Sequence, residues 1–459
     1  MRTRFTWMVA ILGLVAISFL MACSSKYSST SNGLVVVPTQ GSPEATAVME
    51  TFSLDLSNGS MSQINNVNGP PTVGLPGAVI LDPAGAYDYV IVYQNAELVP
   101  SATGITSFAI GSNGKLAPGT TQSLNPSTMA TAFCIFSQNG MTVTQNIPVT
   151  VNAPVNPAAL ALDSAGKLLF VADSATSAQA TYTCNGASVT GQVAVPGAVS
   201  VFTVSSGTLT EIAGSPFALP VEPGGSTASA SALAVTPTVY PVQYSYCSGF
   251  APPTTENLYV TDNSNYVLLN YSVDSSAGTP TLMPYSTSAP GIPTDVAPDG
   301  VAVDPCNRFV YVANATSNDV SAYTICSVIN LLSQPPCPVA DFSLNPVTAS
   351  PYPAGDSPGP MAVDAYGDFL YVVNTGSNNI FGYRINATNG GLTVFSGTPA
   401  ATGVFPNSIA IRSDDSWLFV ANLGYPGTLS QYAITLSTGA LDSLPAVTTL
   451  DYPSGVAVK

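Results

Sequence analysis

Six apolar runs each close on a polar side chain capable of chemistry: Gln94, Asp173, Asp262, Asn314, Asn374 and Asn422, as in FVYVAN, FLYVVN and WLFVAN. The corresponding run near the start, LVVVP, ends on Pro38 and breaks the series. Carboxylate and amide oxygens brought into a ring would suit a hard cation such as Ca²⁺, with Asp173 and Asp262 as the anionic metal candidates, or would hydrogen-bond a bound molecule. The same residue types also serve a structural end, because Asn and Asp bond the backbone of the loop that follows them. Recurrence in every copy favours that second role. Histidine is absent from all 459 residues. That excludes Ser-His-Asp and Cys-His nucleophiles, imidazole-bound zinc and haem with a histidine axial ligand.

What must position these residues is a repeat. Residues 299–325 read DGVAVDPCNRFVYVANATSNDVSAYTI; residues 359–385 and 407–434 repeat the text, and looser copies lie upstream. Each copy carries three β-patterned runs and a weaker fourth within about 45 residues, the mark of a β-propeller blade. First strands near Ala78, Ala158, Ala232, Val301, Met361, Ser408 and Val456 predict an all-β, seven-bladed propeller of four-stranded blades spanning 34–459. The domain begins on a second strand, and SGVAVK (Ser454 to Lys459) matches the first-strand text DGVAVD. The C-terminal strand is therefore expected to complete the N-terminal blade and close the ring, satisfying sheet edges that would otherwise be exposed. Insertions at 125–156, 174–197, 236–256 and 325–340 read as long irregular segments, with a single helical turn possible at 328–332.

Strand direction sorts the connections into two faces. Loops joining strands two to three, and four to the next blade, share the top; turns joining one to two and three to four share the bottom. By this register Lys115, Lys167, Arg308, Arg384, Arg412 and Lys459 all fall at the bottom. Glu44, Glu50, Glu97, Asp173, Glu222, Asp262, Asp295, Asp299, Asp356 and Asp451 fall in or beside top connections. Cys134 and Cys184 share the top and are expected to pair. Cys247, Cys306, Cys326 and Cys337 share the bottom and pair among themselves, with Cys326 to Cys337 and Cys247 to Cys306 the favoured connectivity and the alternatives open.

The blade text YVAN, YVVN and FVAN, followed by Ser/Gly-Asn and an aromatic third strand, resembles the YVTN-type repeat and the seven-bladed lactonase family that includes 6-phosphogluconolactonase-type propellers. The resemblance implies a lactone hydrolase with its site at the top mouth of the channel, where enzymatic relatives place His, Arg and acidic groups. This chain departs from that pattern in having no histidine.

At the front, Arg2 and Arg4 precede an apolar run from Trp7 to Leu20, and Leu20-Met21-Ala22-Cys23 resembles a bacterial lipobox. The expected organisation is a signal peptide over 1–22, a tether over 23–33 lipidated at Cys23, and the propeller. Such a protein is anchored to a membrane of the bacterial cell envelope, in the periplasm or at the cell surface, where the even number of remaining cysteines suits an oxidising compartment. The tether enters at a bottom turn, which would turn the acidic top away from the membrane. The chain has 9 Lys+Arg and 25 Asp+Glu; loss of residues 1–22 removes two Arg and leaves a net charge of −18. Nucleic acid is thereby disfavoured as a partner. Charged residues are 7% of the chain, so Ser, Thr, Asn, Gly and Pro must form most of the surface. These features favour a monomeric binding platform whose acidic top takes a protein, a carbohydrate or Ca²⁺. The alternative is a lactonase working through acids and a cation-bound water.

Overall fold

The computed structural model describes residues 33–40, 47–68, 74–94, 103–124, 127–139, 141–153, 155–220, 226–237, 256–274, 280–284, 291–326 and 342–459. Seven antiparallel sheets form the blades, and their innermost strands lie side by side in a closed circuit. From the inside outward, blade 5 is Pro298–Val303, Phe309–Asn314, Asp319–Ile325 and Leu344–Pro346. Blade 6 is Pro358–Val363, Phe369–Asn374, Asn379–Ile385 and Leu392–Val394, and blade 7 is Pro406–Ile411, Trp417–Asn422, Thr428–Thr435 and Ala440–Ser443. Blades 2, 3 and 4 begin on Gly74–Leu81, Pro157–Leu162 and Ala230–Val235. In blade 1 the inner strand is the C-terminal Ala457–Val458, which pairs with Gly33–Thr39 in the register Val35 to Val458 and Val36 to Ala457. The expected ring closure is therefore formed. Among the described residues there is no helix. In blades 3 to 7 a further two- or three-residue strand also pairs with the third strand.

Second strands are covered on both faces, which is why they read as unbroken apolar runs rather than as alternating ones. Phe309–Asn314, Phe369–Asn374 and Trp417–Asn422 are buried at every position. Their aromatic residues fasten each blade to the next. Tyr311 Oη donates to Gly390 O (3.1 Å) and Tyr371 Oη to Gly439 O (2.9 Å), each reaching the three-to-four turn of the following blade. Those glycines have φ of 72° and 77°, and a Cβ on them would lie 2.5 Å and 2.4 Å from the rings of Phe309 and Phe369. Only glycine satisfies both the positive φ and the close approach. The closing seam is built alike, with Gly59 under Trp417, Gln431 Nε2 donating to Gly59 O and Leu450 N to Glu50 Oε2. Glu50 is thus a buried clasp of the seam, not a surface charge.

Two of the insertions differ from expectation. Instead of irregular loops they are regular hairpins, Ser127–Gln138 with Met141–Asn152 and Thr176–Cys184 with Ala187–Val195. The alternation in TSAQATYTC, buried at Ala178 and Ala180 and exposed between them, is the period-two signal of a half-buried strand. The two hairpins pack on each other through Ala130, Ala132, Ala178, Ala180, Val193 and Val195. The Cys134–Cys184 disulfide joins them with a Cα separation of 5.4 Å. Cys306 and Cys326 are each disulfide-bonded as well. Their expected partners Cys247 and Cys337 lie outside the described residues, as do Cys23, Glu44, Glu97, Glu222 and the suggested helical turn at 328–332.

Candidate functional site

Every inner strand starts at the top opposite the polar end of its neighbour. Pro298 faces Asn314, Pro358 faces Asn374, Pro406 faces Asn422, Pro157 faces Asp173, Ala230 faces Asp262 and Gly74 faces Gln94. In the N-terminal blade the strand runs one residue past Pro38, and Thr39 fills the place by bridging to Pro453 and donating its hydroxyl to Val48 O. The polar series is thus complete, and Thr39 was missed because a proline preceded it.

The side chains of Asp173, Asp262, Asn314, Asn374 and Asn422 turn inward to their own blade corners. Asp262 accepts from Ser229 N, Ser264 N and Asn265 Nδ2 at 2.9, 3.1 and 2.7 Å. Asp173 accepts from Ser200 Oγ at 2.7 Å, and burial pushes its carboxyl up to about 7. Asn314 Nδ2 donates to Asp319 Oδ1 and Ser321 Oγ, Asn374 Nδ2 to Asn379 Oδ1, and Asn422 Nδ2 to Thr428 Oγ1 and Ser430 Oγ. Asp262 makes the backbone bonds of an Asx turn, whereas Asp173, Asn314, Asn374 and Asn422 bond side chains of the third strand. Gln94 ends its strand at the same register. Among the described residues no three Asp, Glu or Cys side chains gather as a metal site would need.

A bulge interrupts the inner strands of blades 2 to 7 toward their top ends. Such a bulge re-aims a side chain out of the ladder. Ala158, Ser231, Asp299, Gly359 and Asn407 occupy it, so Asp299 is the charged group at this level among the described residues. Its carboxylate is solvent-exposed yet leans over the next blade, where a Cβ on Gly359 would lie 3.1 Å from Oδ2. Protein on the surrounding sides desolvates it and pushes its carboxyl up to about 6. Nearby loops hold Asp295, which accepts from Ser317 Oγ at 2.8 Å, and Asp319, raised by burial despite its bond from Asn314 and further by Asp295. Asp319 stands at the head of a third strand and escaped the sequence reading. So did the aromatic residues Phe405, Tyr425 and Tyr452, whose signal was a departure from the repeat.

Cations are placed as expected, at the bottom. Arg308 is buried, pairs bidentately with Asp304 and donates to Gly367 O in the next blade. Arg384 stacks on Phe369 with its Cζ 4.6 Å from the ring centre, and Lys459 Nζ donates to Ala84 O and Gly85 O. No Lys or Arg among the described residues lies in a top connection.

Comparison with known proteins agrees with this architecture. Residues 342–459 match the family model "Lactonase, 7-bladed beta-propeller". Among solved structures, a protein of Bacteroides fragilis assigned as a 6-phosphogluconolactonase is 15% identical, with 95% of this chain and 100% of that one covered at a TM-score of 0.63. A second such protein, from Bacteroides uniformis, is 17% identical over 94% and 100% at 0.63. The periplasmic gluconolactonase of Pseudomonas aeruginosa is 16% identical over 93% and 99% at 0.60. No curated protein matches the sequence. The chain therefore has the fold of the lactonase-type seven-bladed β-propellers and carries that family's sequence pattern over residues 342–459.

Proposed function

We propose that this protein is a cell-envelope binding module, lipid-anchored at Cys23, that presents the top mouth of its propeller to a partner and does not hydrolyse phosphorylated lactones. One observation carries the reading: every described Lys and Arg lies at the bottom, most of them engaged between blades. A phosphorylated sugar lactone at the top would meet carboxylates and no guanidinium or ammonium to hold it. The top face is also thinner in charge than its residue list suggests, since Glu50, Asp173 and Asp262 are buried and bonded. Asp299, Asp319, Asp356 and Asp451 remain at least partly open to solvent. The Cys134–Cys184 disulfide is compatible with an oxidising compartment. Strand Gly33–Thr39 enters the propeller from the bottom, which supports an anchored orientation with the top outward.

Asp299 favours a second reading, hydrolysis of an uncharged lactone. A carboxylate near about 6 in an open mouth is suited to take a proton from water attacking the lactone carbonyl. The ring C–O bond would then break and the proton pass to the leaving alkoxide, giving the hydroxy acid. Hydrolysis of gluconolactone and 6-phosphogluconolactone, measured against the spontaneous rates for the wild type and Asp299→Asn, separates the readings. The binding module accelerates neither. Acceleration of the phosphorylated lactone would overturn the proposal, and acceleration of the neutral lactone alone, lost in Asp299→Asn, would establish the second reading.

A further inference from the structure

Three aromatic residues on the top face occupy places where blades 5 and 6 keep small ones. In blade 5, Ala315 N donates to Ala297 O and Thr316 N to Val296 O; in blade 6, Thr375 N donates to Ser357 O and Gly376 N to Asp356 O. Blade 7 keeps the pattern, with Leu423 N to Phe405 O and Gly424 N to Val404 O. Ser317, Ser377 and Tyr425 are thus the same position of the same loop. Ser317 Oγ accepts from Val296 N and Ser377 Oγ from Asp356 N, tying the loop to the connection it faces. Tyr425 gives up that bond and is 73% exposed.

The facing connection changes in step. The residue before the inner-strand proline has a positive φ in four successive blades, at Ala297 (61°), Ser357 (52°), Phe405 (54°) and Tyr452 (57°). This conformation is unfavourable for any residue but glycine and is opposed again by the following proline. Ala297 and Ser357 show that a small side chain serves the turn. At Phe405 the ring is 58% exposed, so its burial does not offset the strain. The rings of Tyr425 and Tyr452 lie 6.2 Å apart and tilted by 35°. Gly427, between the loops, would place a Cβ 2.3 Å from Leu450 O, which holds the Tyr425 loop against the Tyr452 connection. Strain and exposed apolar surface kept together on three adjoining loops mark a contact site.

Charge indicates what is contacted. Asp451, partly exposed, directly precedes Tyr452, and no described Lys or Arg lies in a top connection. Exposed aromatic side chains with a carboxylate on the same connection, and no described Lys or Arg in a top connection to compete, attract a cation. We propose that Phe405, Tyr425 and Tyr452 receive an arginine or lysine side chain of a basic partner protein, with Asp451 balancing its charge. This rests on the reading of the top mouth as a binding surface and names the chemistry of its partner.

Calorimetric titration of the full folded domain with tetra-arginine tests it, with maltohexaose and chitohexaose as neutral probes. The peptide should bind, more weakly at high salt, and Tyr425→Ala and Phe405→Gly should each lower its affinity about five-fold. Asp451→Asn should lower affinity and flatten the salt dependence. Phe405→Gly also relieves the positive φ, so its melting temperature should hold or rise while binding falls, which separates lost contact from lost fold. Equal binding to wild type, Tyr425→Ala and Phe405→Gly would mean attraction to the acidic surface in general; the aromatic contact would fall and the top-face reading would stand. Failure of wild type to bind tetra-arginine, or a Tyr425-dependent saccharide titration in its place, would overturn this inference, while the lactone assay alone decides the reading beneath it.

Discussion

The bottom turns and the top loops of this propeller are built on the same repeat, yet they use their side chains in opposite ways. At the bottom, the one-to-two turn of blades 2, 3 and 6 begins with an aspartate that clasps the amides four and five residues on: Asp82 accepts from Ala86 N and Tyr87 N, Asp163 from Lys167 N and Leu168 N, and Asp364 from Asp368 N and Phe369 N. Charges there are spent between blades, as where Arg308 reaches Gly367 O, Asp415 Oδ1 receives Ala365 N, and Lys459 reaches Ala84 O. At the top the backbone bonds repeat but the side chains diverge, from Ser317 and Ser377 to Tyr425 and from Ala297 and Ser357 to Phe405 and Tyr452. Residues held in common therefore report on assembly, and departures under a constant backbone mark side chains that the shared fold does not call for.

The sharpest way to break this contrast is at the bottom. Arg308→Ala leaves Asp304 buried without its partner and should cost about 3–5 kcal/mol, read as a lower urea midpoint. Next comes a seam: Gly439→Ala forces a Cβ against Phe369 at φ 77° and should cost about 2 kcal/mol or more by the same measurement. Neither change should alter tetra-arginine affinity while the domain remains folded, and a loss there would erase the distinction between the faces.

Proton linkage offers a third test. Burial pushes Asp173 up to about 7, and burial together with Asp415 and Asp368 does the same for Asp364. The folded state then holds protons that the unfolded chain, with carboxyls near about 4, releases. Stability from this source is full below about pH 4 and falls as pH rises toward about 7. Asp173→Asn should make that decline shallower in urea titrations across the range; an unchanged slope would show that Asp173 is ionised when folded. The smallest effect belongs to the top. Tyr425→Ser should regain the bond that Ser317 and Ser377 make and raise stability by about 0.5–1 kcal/mol, and a drop instead would show that the tyrosine serves the fold.

Much of this was legible in the sequence. Spacing alone located the inner strands, the match of SGVAVK to DGVAVD gave the closing strand, and strand direction put Cys134 and Cys184 on one face, where they are bonded. It also put the folded cations at the bottom. These are local or periodic properties: a β-run, its turn residues and its direction travel with the segment wherever the blade is placed. Alternation in the two hairpins was present in the text but was hidden by reading insertions as irregular.

What only the tertiary structure decided is which side chains remain available. Asp262 and Asn422 look like ligands on paper, and only the packed blade corner, with Asn265 or Thr428 brought against them, shows the Asp262 carboxylate and the Asn422 Nδ2 bonded within it. Asp299 has its carboxyl raised by burial in a place where Gly359 of the next blade lies close to it. Phe405 and Tyr425 are brought together by the pairing of the inner two strands of blade 7, and Tyr452, on the connection into the closing strand, is set against Tyr425 by the packing of that connection on the blade. A repeat fixes what each blade does for itself; proximity between blades, and the desolvation and contact that come with it, exists only once the ring is closed.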